Sequence, residues 1–406
     1  RSGKRWFNAA MALLIAGSGF AATPTGRASA ADATVTVDPS KTYISLKNSD
    51  FGSGNPLVGD KASIVWNNKT NFSGTLKQYG TAEAGSLVYN YGTTSGTSSQ
   101  PNYSANDLKT PGGATSIGFQ NFGRDLVRLA TTKGNSFGSL FNKNRVTLSD
   151  NRSFSTYFSF KMEQGSQADG IVFVVQTASN EAGASGGGLG YSGVQKSIGV
   201  EYDTYYNSDR SDPKPFGTTN GDGSTKGSHV AVDLDGDVTH NSSNNGGIQE
   251  GRNIANLDIG EMSLAQSDPA TSFHSWIDYD GIKKQLRVYL IRKNTDGTYL
   301  APVVDKGQLV TEGTGTGKRV KTVLLKEFPS LSGDELVAPL NDGTGNFTIK
   351  PIITDNNDLS GRLLQDDVFI GFTAATGGAN QYHDIYSWHF NNYSGLIVPG
   401  APASPD

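Results

Sequence analysis

Six candidate oxygen ligands crowd the segment Val200-Glu201-Tyr202-Asp203-Thr204-Tyr205-Tyr206-Asn207-Ser208-Asp209-Arg210-Ser211-Asp212-Pro213. Its first half is strand-like, and every second side chain of a strand points the same way, so Glu201 and Asp203 share one face. The chain then enters a polar loop that offers the carbonyl of Tyr205, the amide of Asn207 and the carboxylates of Asp209 and Asp212. Hard cations such as Ca²⁺ require a ligand set of this all-oxygen kind. No hydrophobic core calls for so many carboxylates within so few residues, and a metal site is the simplest reading. A solvated acidic turn is the alternative that these residues by themselves leave open.

The elements that must hold such a loop are short strands. Apolar residues make up 35% of the 406, while glycine numbers 51, a balance that suits many strands joined by tight turns better than apolar-striped helices. Val172-Phe173-Val174-Val175 and Val368-Phe369-Ile370-Gly371-Phe372 are nearly continuous apolar runs, which predicts burial on both faces. Gln285-Leu286-Arg287-Val288-Tyr289-Leu290 alternates instead and predicts one buried face. The net charge is −4 and no basic patch is interleaved with aromatics, which excludes nucleic acid as an expected partner. With no cysteine, disulfides are ruled out, and stability must come from core packing and bound metal.

Residues 1–30 read as a signal peptide. Arg1, Lys4 and Arg5 make a basic start, residues 9–22 an apolar run, and Ala28-Ser29-Ala30 a small-residue cleavage pattern. The apolar run is too short for a permanent membrane span, and no later segment reaches that length. The mature protein is therefore expected to be secreted and to begin near residue 31. Residues 31–395 read as one elaborated β-sandwich, with excess length in insertions at 92–113, 217–228 and about 306–359. Its first strands are expected within 40–66, and 396–406 is linker-like in composition.

Five motifs in order resemble the legume-type (L-type) lectin family, the concanavalin-like lectins, and together cover roughly residues 125–392. Phe154-Ser155-Thr156-Tyr157-Phe158-Ser159-Phe160 is similar to the family strand F-S-T-x-F-x-F, and Ala168-Asp169-Gly170-Ile171-Val172-Phe173 to A-D-G-[IL]-x-F. Gly186-Gly187-Gly188-Leu189-Gly190 resembles the loop G-G-x-L-G. The acidic segment resembles V-E-x-D-T-[YF]-x-N followed by D-P. Last, residues 370–377 followed by His383-Asp384-Ile385-Tyr386-Ser387-Trp388 resemble I-G-F-[ST]-A-[AT]-T-G…H-D-[IV]-x-S-W. Residues 55–62 weakly resemble the family's opening. The resemblance implies an all-β, jelly-roll sandwich and a calcium-dependent carbohydrate-binding lectin in a secreted, bacterial-style surface protein.

It also implies two neighbouring cations, Ca²⁺ and a transition ion, usually Mn²⁺. Asp203 and Asp212 would bridge both, the Tyr205 carbonyl and Asn207 would complete the Ca²⁺ shell, and Glu201 and His229 the Mn²⁺ shell. An imidazole nitrogen suits a transition ion and not Ca²⁺. Fifteen residues separate Pro213 from His229, where the family has only a few. That departure leaves an ordinary strand-edge histidine open as the other reading of His229, with Asp209 a substitute ligand should Asp212 swing out. For the sugar, the resemblance implies Asp169 as acceptor after a cis peptide, the N–H of Gly187 and the amide of Asn207 as donors, and the Tyr205 ring as a stacking surface. The loop holding Ala379 and Asn380 would set sugar preference.

His383, Asp384 and Trp388 read as packing residues with no chemistry, because no nucleophile motif accompanies the His-Asp pair. Asp233-Leu234-Asp235-Gly236-Asp237 hints at another Ca²⁺ loop but lacks a downstream bidentate Glu, so a hairpin turn at Asp235-Gly236 is expected. The partners expected are glycans or glycoconjugates in an adhesive role, with room for a homo-oligomer. Two other classes compete. A glycoside hydrolase on the same sandwich would need E-x-D-x-x-E, and here the third position is Tyr206. A surface or matrix protein that no longer binds sugar would be signalled by loss of Asp169 or Asn207, and both are present.

Overall fold

A computed structural model describes strand segments 43–46, 64–66 and 87–93, and residues 127–399 apart from 131, 133, 143–144, 164, 179–185, 217–225, 259 and 267–270. The expected leader 1–30, the opening at 55–62, most of 92–113, the 217–225 loop and the tail beyond 399 lie outside the described residues. In chain order the first strands are β1 (Tyr43–Leu46), β2 (Ile64–Trp66), β3 (Leu87–Thr93), β4 (Ser136–Asn142) and β5 (Phe154–Glu163). Next come β6 (Gly170–Gln176), β7 (Ser197–Tyr205), β8 (Lys226–Leu234), β9 (Ile254–Asp258) and β10 (Ser272–Asp280). The last are β11 (Gln285–Lys293), β12 (Tyr299–Pro302), β13 (Thr322–Leu325), β14 (Asp367–Ala375) and β15 (Tyr382–Asn391).

These strands form two large sheets. The front sheet runs β9-β8-β7-β6-β14-β4-β3-β2, and the back sheet β1-β15-β5-β10-β11-β12-β13. Pairing is antiparallel along both orders except between β2 and β3. The result is the expected all-β sandwich. Two of the strands expected within 40–66 are present as β1 and β2.

Side-chain alternation builds the interior. On β5, Phe154, Phe158, Phe160 and Met162 enter the core between the sheets, while Tyr157 turns to the opposite face. Ile171, Phe173 and Val175 of β6 meet them from the front sheet, with Ile370 and Phe372 of β14. The remaining apolar residues of β6, Val172 and Val174, are buried on its outer face under Leu189 and Tyr191, as the continuous run predicts. The stretch 186–194 is therefore pinned to the front sheet by its own core, and this holds Gly187 in place.

Phe158 is the centre of this packing. Its ring lies 4.9 Å from Phe372, 5.4 Å from Tyr202 and 5.5 Å from Phe160, centroid to centroid, in edge-on or tilted pairs. Phe158→Ala is expected to cost about 3–5 kcal/mol, because a closely packed interior only partly collapses around the void. Denaturant unfolding checks this, and a loss under about 1 kcal/mol would contradict the packing described.

The expected insertion at 306–359 is β structure. Three strands, Ser330–Ser332, Glu335–Pro339 and Asn346–Ile349, form a separate sheet. Leu336, Ala338 and Ile349 from it join Tyr157, Trp276 and Tyr299 in a second apolar cluster. Leu396, Ile397 and Val398 pack against that cluster, and the Trp276 indole N–H donates to the Ile397 carbonyl at 2.7 Å, so the chain stays docked through Val398. His383, Asp384 and Trp388 are fully buried, and the Trp388 indole N–H donates to Thr156 Oγ1 at 3.0 Å. Among the described residues no helix is long and apolar enough to cross a membrane.

Candidate functional site

Antiparallel pairing of β7 with β8 sets His229 opposite Asp203 and Ala231 opposite Glu201. The loop after β7 closes through a 3₁₀ turn, Ser208–Arg210, and through Ser211, whose φ of 61° lies in the left-handed region. That reversal brings Asp212 back to the strand end. Its backbone N–H donates to the Asn207 carbonyl at 3.3 Å, and Asp212 Oδ2 accepts from the Asn207 N–H. Asp209 remains exposed on the turn, so the substitute-ligand reading of Asp209 is not what the loop adopts. At the far end of β8 the expected turn forms, with Asp235 and Gly236 both left-handed at φ 56° and 74° and the Asp237 N–H on the Leu234 carbonyl. Glycine is required at 236, since a Cβ there would lie 2.3 Å from the Val194 backbone nitrogen. This turn sends the chain back and delivers His240 into the same cluster.

Five polar side chains converge there. His229 Nε2 lies 2.8 Å from Glu201 Oε1, and His240 Nε2 lies 3.0 Å from the same oxygen and 3.3 Å from Asp212 Oδ1. The two Nε2 atoms are 3.2 Å apart. Ligand atoms of Glu201, His229 and His240 fall within 4.8 Å of one another, and so do those of Asp203, Asp212 and His229. Glu201, Asp203 and Asp212 are each at least 95% buried.

The electrostatics record the strain of this crowding. Burial acts first on Asp203 and the charges of Asp212 and Glu201 add to it, so its pKa stands well above the ordinary carboxylate value. For Glu201 burial pulls upward, but His240 and His229 outweigh it and hold the pKa well below normal. His240 is raised well above an ordinary histidine, because Glu201 and Asp212 overcome the opposing effect of burial. Carboxylates buried this closely need positive charge between them. The donor set therefore fits bound cations: carboxylate and amide oxygens toward Asn207, and imidazole nitrogens toward Glu201.

A second polar cradle adjoins the first. The Ala168–Asp169 peptide is cis. The Asp169 carbonyl accepts from the Thr204 N–H at 2.9 Å and the Thr204 hydroxyl at 2.8 Å, and Gln381 Nε2 donates to that hydroxyl at 2.6 Å. Burial lifts the Asp169 carboxyl to about 7, with Arg210 and a backbone bond at Gly377 opposing and Asp212 adding to the rise. Asp169 Oδ2 and Asn207 Oδ1 are buried with no hydrogen-bond partner. Gly187 sits over Asn207 and Arg210, since a Cβ there would lie 3.3 Å from Asn207 Oδ1 and 3.1 Å from Arg210 Nε, and a Cβ at Gly377 would lie 3.3 Å from Asp169 Oδ2. The Asn380 carbonyl accepts from Ser166 and Gln167, which docks the loop of Ala379 and Asn380 against the Asp169 loop.

The structure thus gathers Glu201, Asp203, Asp212 and His229 in one cluster, with Asn207 and half-buried Tyr205 at its edge, and sets Asp169, Gly187, Ala379 and Asn380 beside it. Three contributors take places that the sequence leaves unassigned, Asp233 being legible there only as the start of an acidic hairpin turn. Arg210 stands next to Gly187 and Asp169, and Asp233 Oδ1 lies 3.6 Å from His240 Nδ1. The third is His240, for which the one sequence signal was the Asp-Gly turn four residues before it.

The sequence profile of the Legume lectin domain matches residues 101–312 and 336–397, more than half of the chain. The chain is 24% identical over 260 residues to "L-type lectin-domain containing receptor kinase VIII.1" of Arabidopsis thaliana, a match over 62% of this chain and 25% of that protein. It is 52% identical over 44 residues to "Probable L-type lectin-domain containing receptor kinase VII.2" of the same plant, 11% of this chain and 6% of that one. This sequence spans about a quarter of the length of the first of these relatives. Among solved structures, peanut lectin with a 9-mer peptide aligns at 23% identity and a TM-score of 0.38, over 68% of this chain and 88% of that one. Lectin I from Ulex europaeus, in complex with the methyl glycoside of α-L-fucose, aligns at 17% identity and a TM-score of 0.38, over 75% and 97%. On the extent of the profile match, the chain belongs to the legume lectin family.

Proposed function

We propose that this protein is a calcium-dependent lectin that binds glycans and breaks no bond in them. One observation carries the reading: Asp169 Oδ2 and Asn207 Oδ1 are buried with no hydrogen-bond partner, the second of them under the Gly187 backbone, beside a buried cluster of carboxylates and imidazoles. An ionised Asp169 accepts from adjacent sugar hydroxyls, while the Gly187 N–H and the Asn207 amide donate. Ca²⁺ on Asp203, Asp212, Asn207 and the Tyr205 carbonyl would hold Asn207 and the loop beneath Asp169 in register. A transition ion on the imidazole side, Mn²⁺ in the family, would neutralise Glu201. A half-buried Tyr205 ring supplies an apolar surface for the sugar, and Ala379 and Asn380 border the crevice.

Glu201 and Asp203 are spent inside this cluster and are 1% and 3% exposed, with Tyr206 where a hydrolase would place its acid. That supports a binder over a glycosidase. Residues 1–30 support export, and an exported lectin with modest single-site affinity suits adhesion to glycoconjugates through several linked copies. A glycan array, probed with the purified chain in Ca²⁺ and again after EDTA, tests the proposal. Binding to a defined saccharide set is expected in Ca²⁺, lost in EDTA and restored on Ca²⁺ addition. An array blank in both conditions, or equally occupied in both, rejects calcium-dependent recognition.

A further inference from the structure

We infer that His240 is a fifth protein ligand of the inner cation site, so that the site presents two imidazoles and selects a nitrogen-preferring ion such as Zn²⁺. The inference rests on the metal-site reading above and adds to it a residue outside the acidic motif. Three observations carry it. First, His240 Nε2 points into the cluster, 3.0 Å from Glu201 Oε1 and 3.3 Å from Asp212 Oδ1, and is 4% exposed. Second, His229 Nε2 and His240 Nε2 are 3.2 Å apart with their rings nearly perpendicular at 88°. Two nitrogens each about 2.1 Å from one ion lie roughly 3.0 to 3.4 Å apart as the angle between them opens from octahedral to tetrahedral. Third, the other ring nitrogen of His240 faces a carboxylate, Asp233 Oδ1 at 3.6 Å, and Asn245 Nδ2 approaches that oxygen at 3.3 Å. A carboxylate behind a histidine fixes the ring and raises its basicity, the usual support for a metal-bound imidazole.

The fold makes this possible through the left-handed pair Asp235 and Gly236, which returns the chain after β8, and through the His240 N–H, which donates to the Arg210 carbonyl at 3.0 Å. That bond ties the second imidazole to the metal loop itself. Replacing an oxygen or water by a second nitrogen favours ions later in the Irving–Williams order, Zn²⁺ above Mn²⁺. A site of Glu201, Asp203, Asp212, His229 and His240 therefore discriminates more strongly between these ions than one with a single imidazole.

The test strips the full chain of metal, restores Ca²⁺, and measures Zn²⁺ and Mn²⁺ affinities by competition dialysis for the natural chain and for His240→Ser. The substitution is expected to weaken Zn²⁺ about 10- to 100-fold and Mn²⁺ by less than about fivefold. Equal losses for both ions, or none, overturn the proposal. A count of nitrogen ligands on Cu²⁺ bound to the unaltered chain, by pulsed electron paramagnetic resonance, needs no variant. Two nitrogens are expected, and one sinks the inference even if His240→Ser fails to fold. Should no divalent ion bind at all, the metal-site reading fails with it. Should ions and glycans bind while His240→Ser changes neither selectivity nor nitrogen count, this inference alone is lost.

Discussion

Asp203→Ala is expected to abolish glycan binding and to lower the melting temperature by about 6 °C in saturating Ca²⁺, yet to change it little in EDTA. The asymmetry follows from the charge on Asp203. In the metal-free fold its carboxyl is buried against Asp212 and Glu201 and is held well above its ordinary pKa, so removing it relieves repulsion. With metal present the same carboxylate is a ligand, and its loss forfeits the linkage stabilisation, about 4 kcal/mol at a thousandfold excess of ion over the dissociation constant. In a domain of about 270 to 365 residues, at about 2.1 cal/mol/K of unfolding entropy per residue, that corresponds to roughly 5–7 °C. Asp169→Ala is the companion experiment. It removes an acceptor and leaves the backbone carbonyl that Thr204 holds, so glycan affinity should fall about 100-fold or more while the melting temperature moves by under about 3 °C. Calorimetry and titration of both variants decide the matter. An Asp203→Ala protein that melts with the natural chain in Ca²⁺ would remove the metal from the account.

The metal-free protein becomes less stable as pH rises from 5 to 8, and the benefit of added metal widens over the same range. The sign comes from groups whose folded pKa is raised, which together outweigh His274, lowered to about 3 chiefly by burial and so adding stability only until pH passes 6.5. Asp169 stands at about 7 against 3.8, and Asp203 and Asp233 are also raised, each chiefly by burial. A carboxyl raised in the fold binds its proton more tightly there than in the unfolded chain, so stability falls as pH climbs from the unfolded value through the folded one. His240, raised by Glu201 and Asp212 against the pull of burial, acts in the same direction, since its folded-state advantage is present below 6.5 and lost as pH passes its folded pKa. Glu201 is lowered, so its contribution is complete above 4.5 and disappears only in stronger acid, outside this window. Metal binding runs oppositely, because ligands must shed protons to hold an ion. Scanning calorimetry of stripped and Ca²⁺-loaded protein at pH 5, 6, 7 and 8 should show the gap growing by about 5 °C or more. A stripped protein that gains stability between pH 5 and 8 contradicts the charge arrangement.

Residues 154–160, which resemble a family strand, lie within β5, and the nearly continuous apolar runs at 172–175 and 368–372 announce burial on both sides. The acidic segment at 201–212 named carboxylates that the fold gathers, because local strand geometry is enough to put Glu201 and Asp203 on one face. What lies between distant segments needed the tertiary structure. The distance in sequence from Pro213 left His229 undecided, and pairing of β8 with β7 set it opposite Asp203. His240 carried no motif at all, since its place depends on a left-handed turn and on a bond to the Arg210 carbonyl. The chain at 306–359 read as a generic insertion, yet three of its strands roof a second aromatic cluster on the back sheet. Local periodicity encodes which face of a strand is buried. Which residues meet across the fold is encoded in the pairing of strands, and pairing energies are spread over every residue of the sheets.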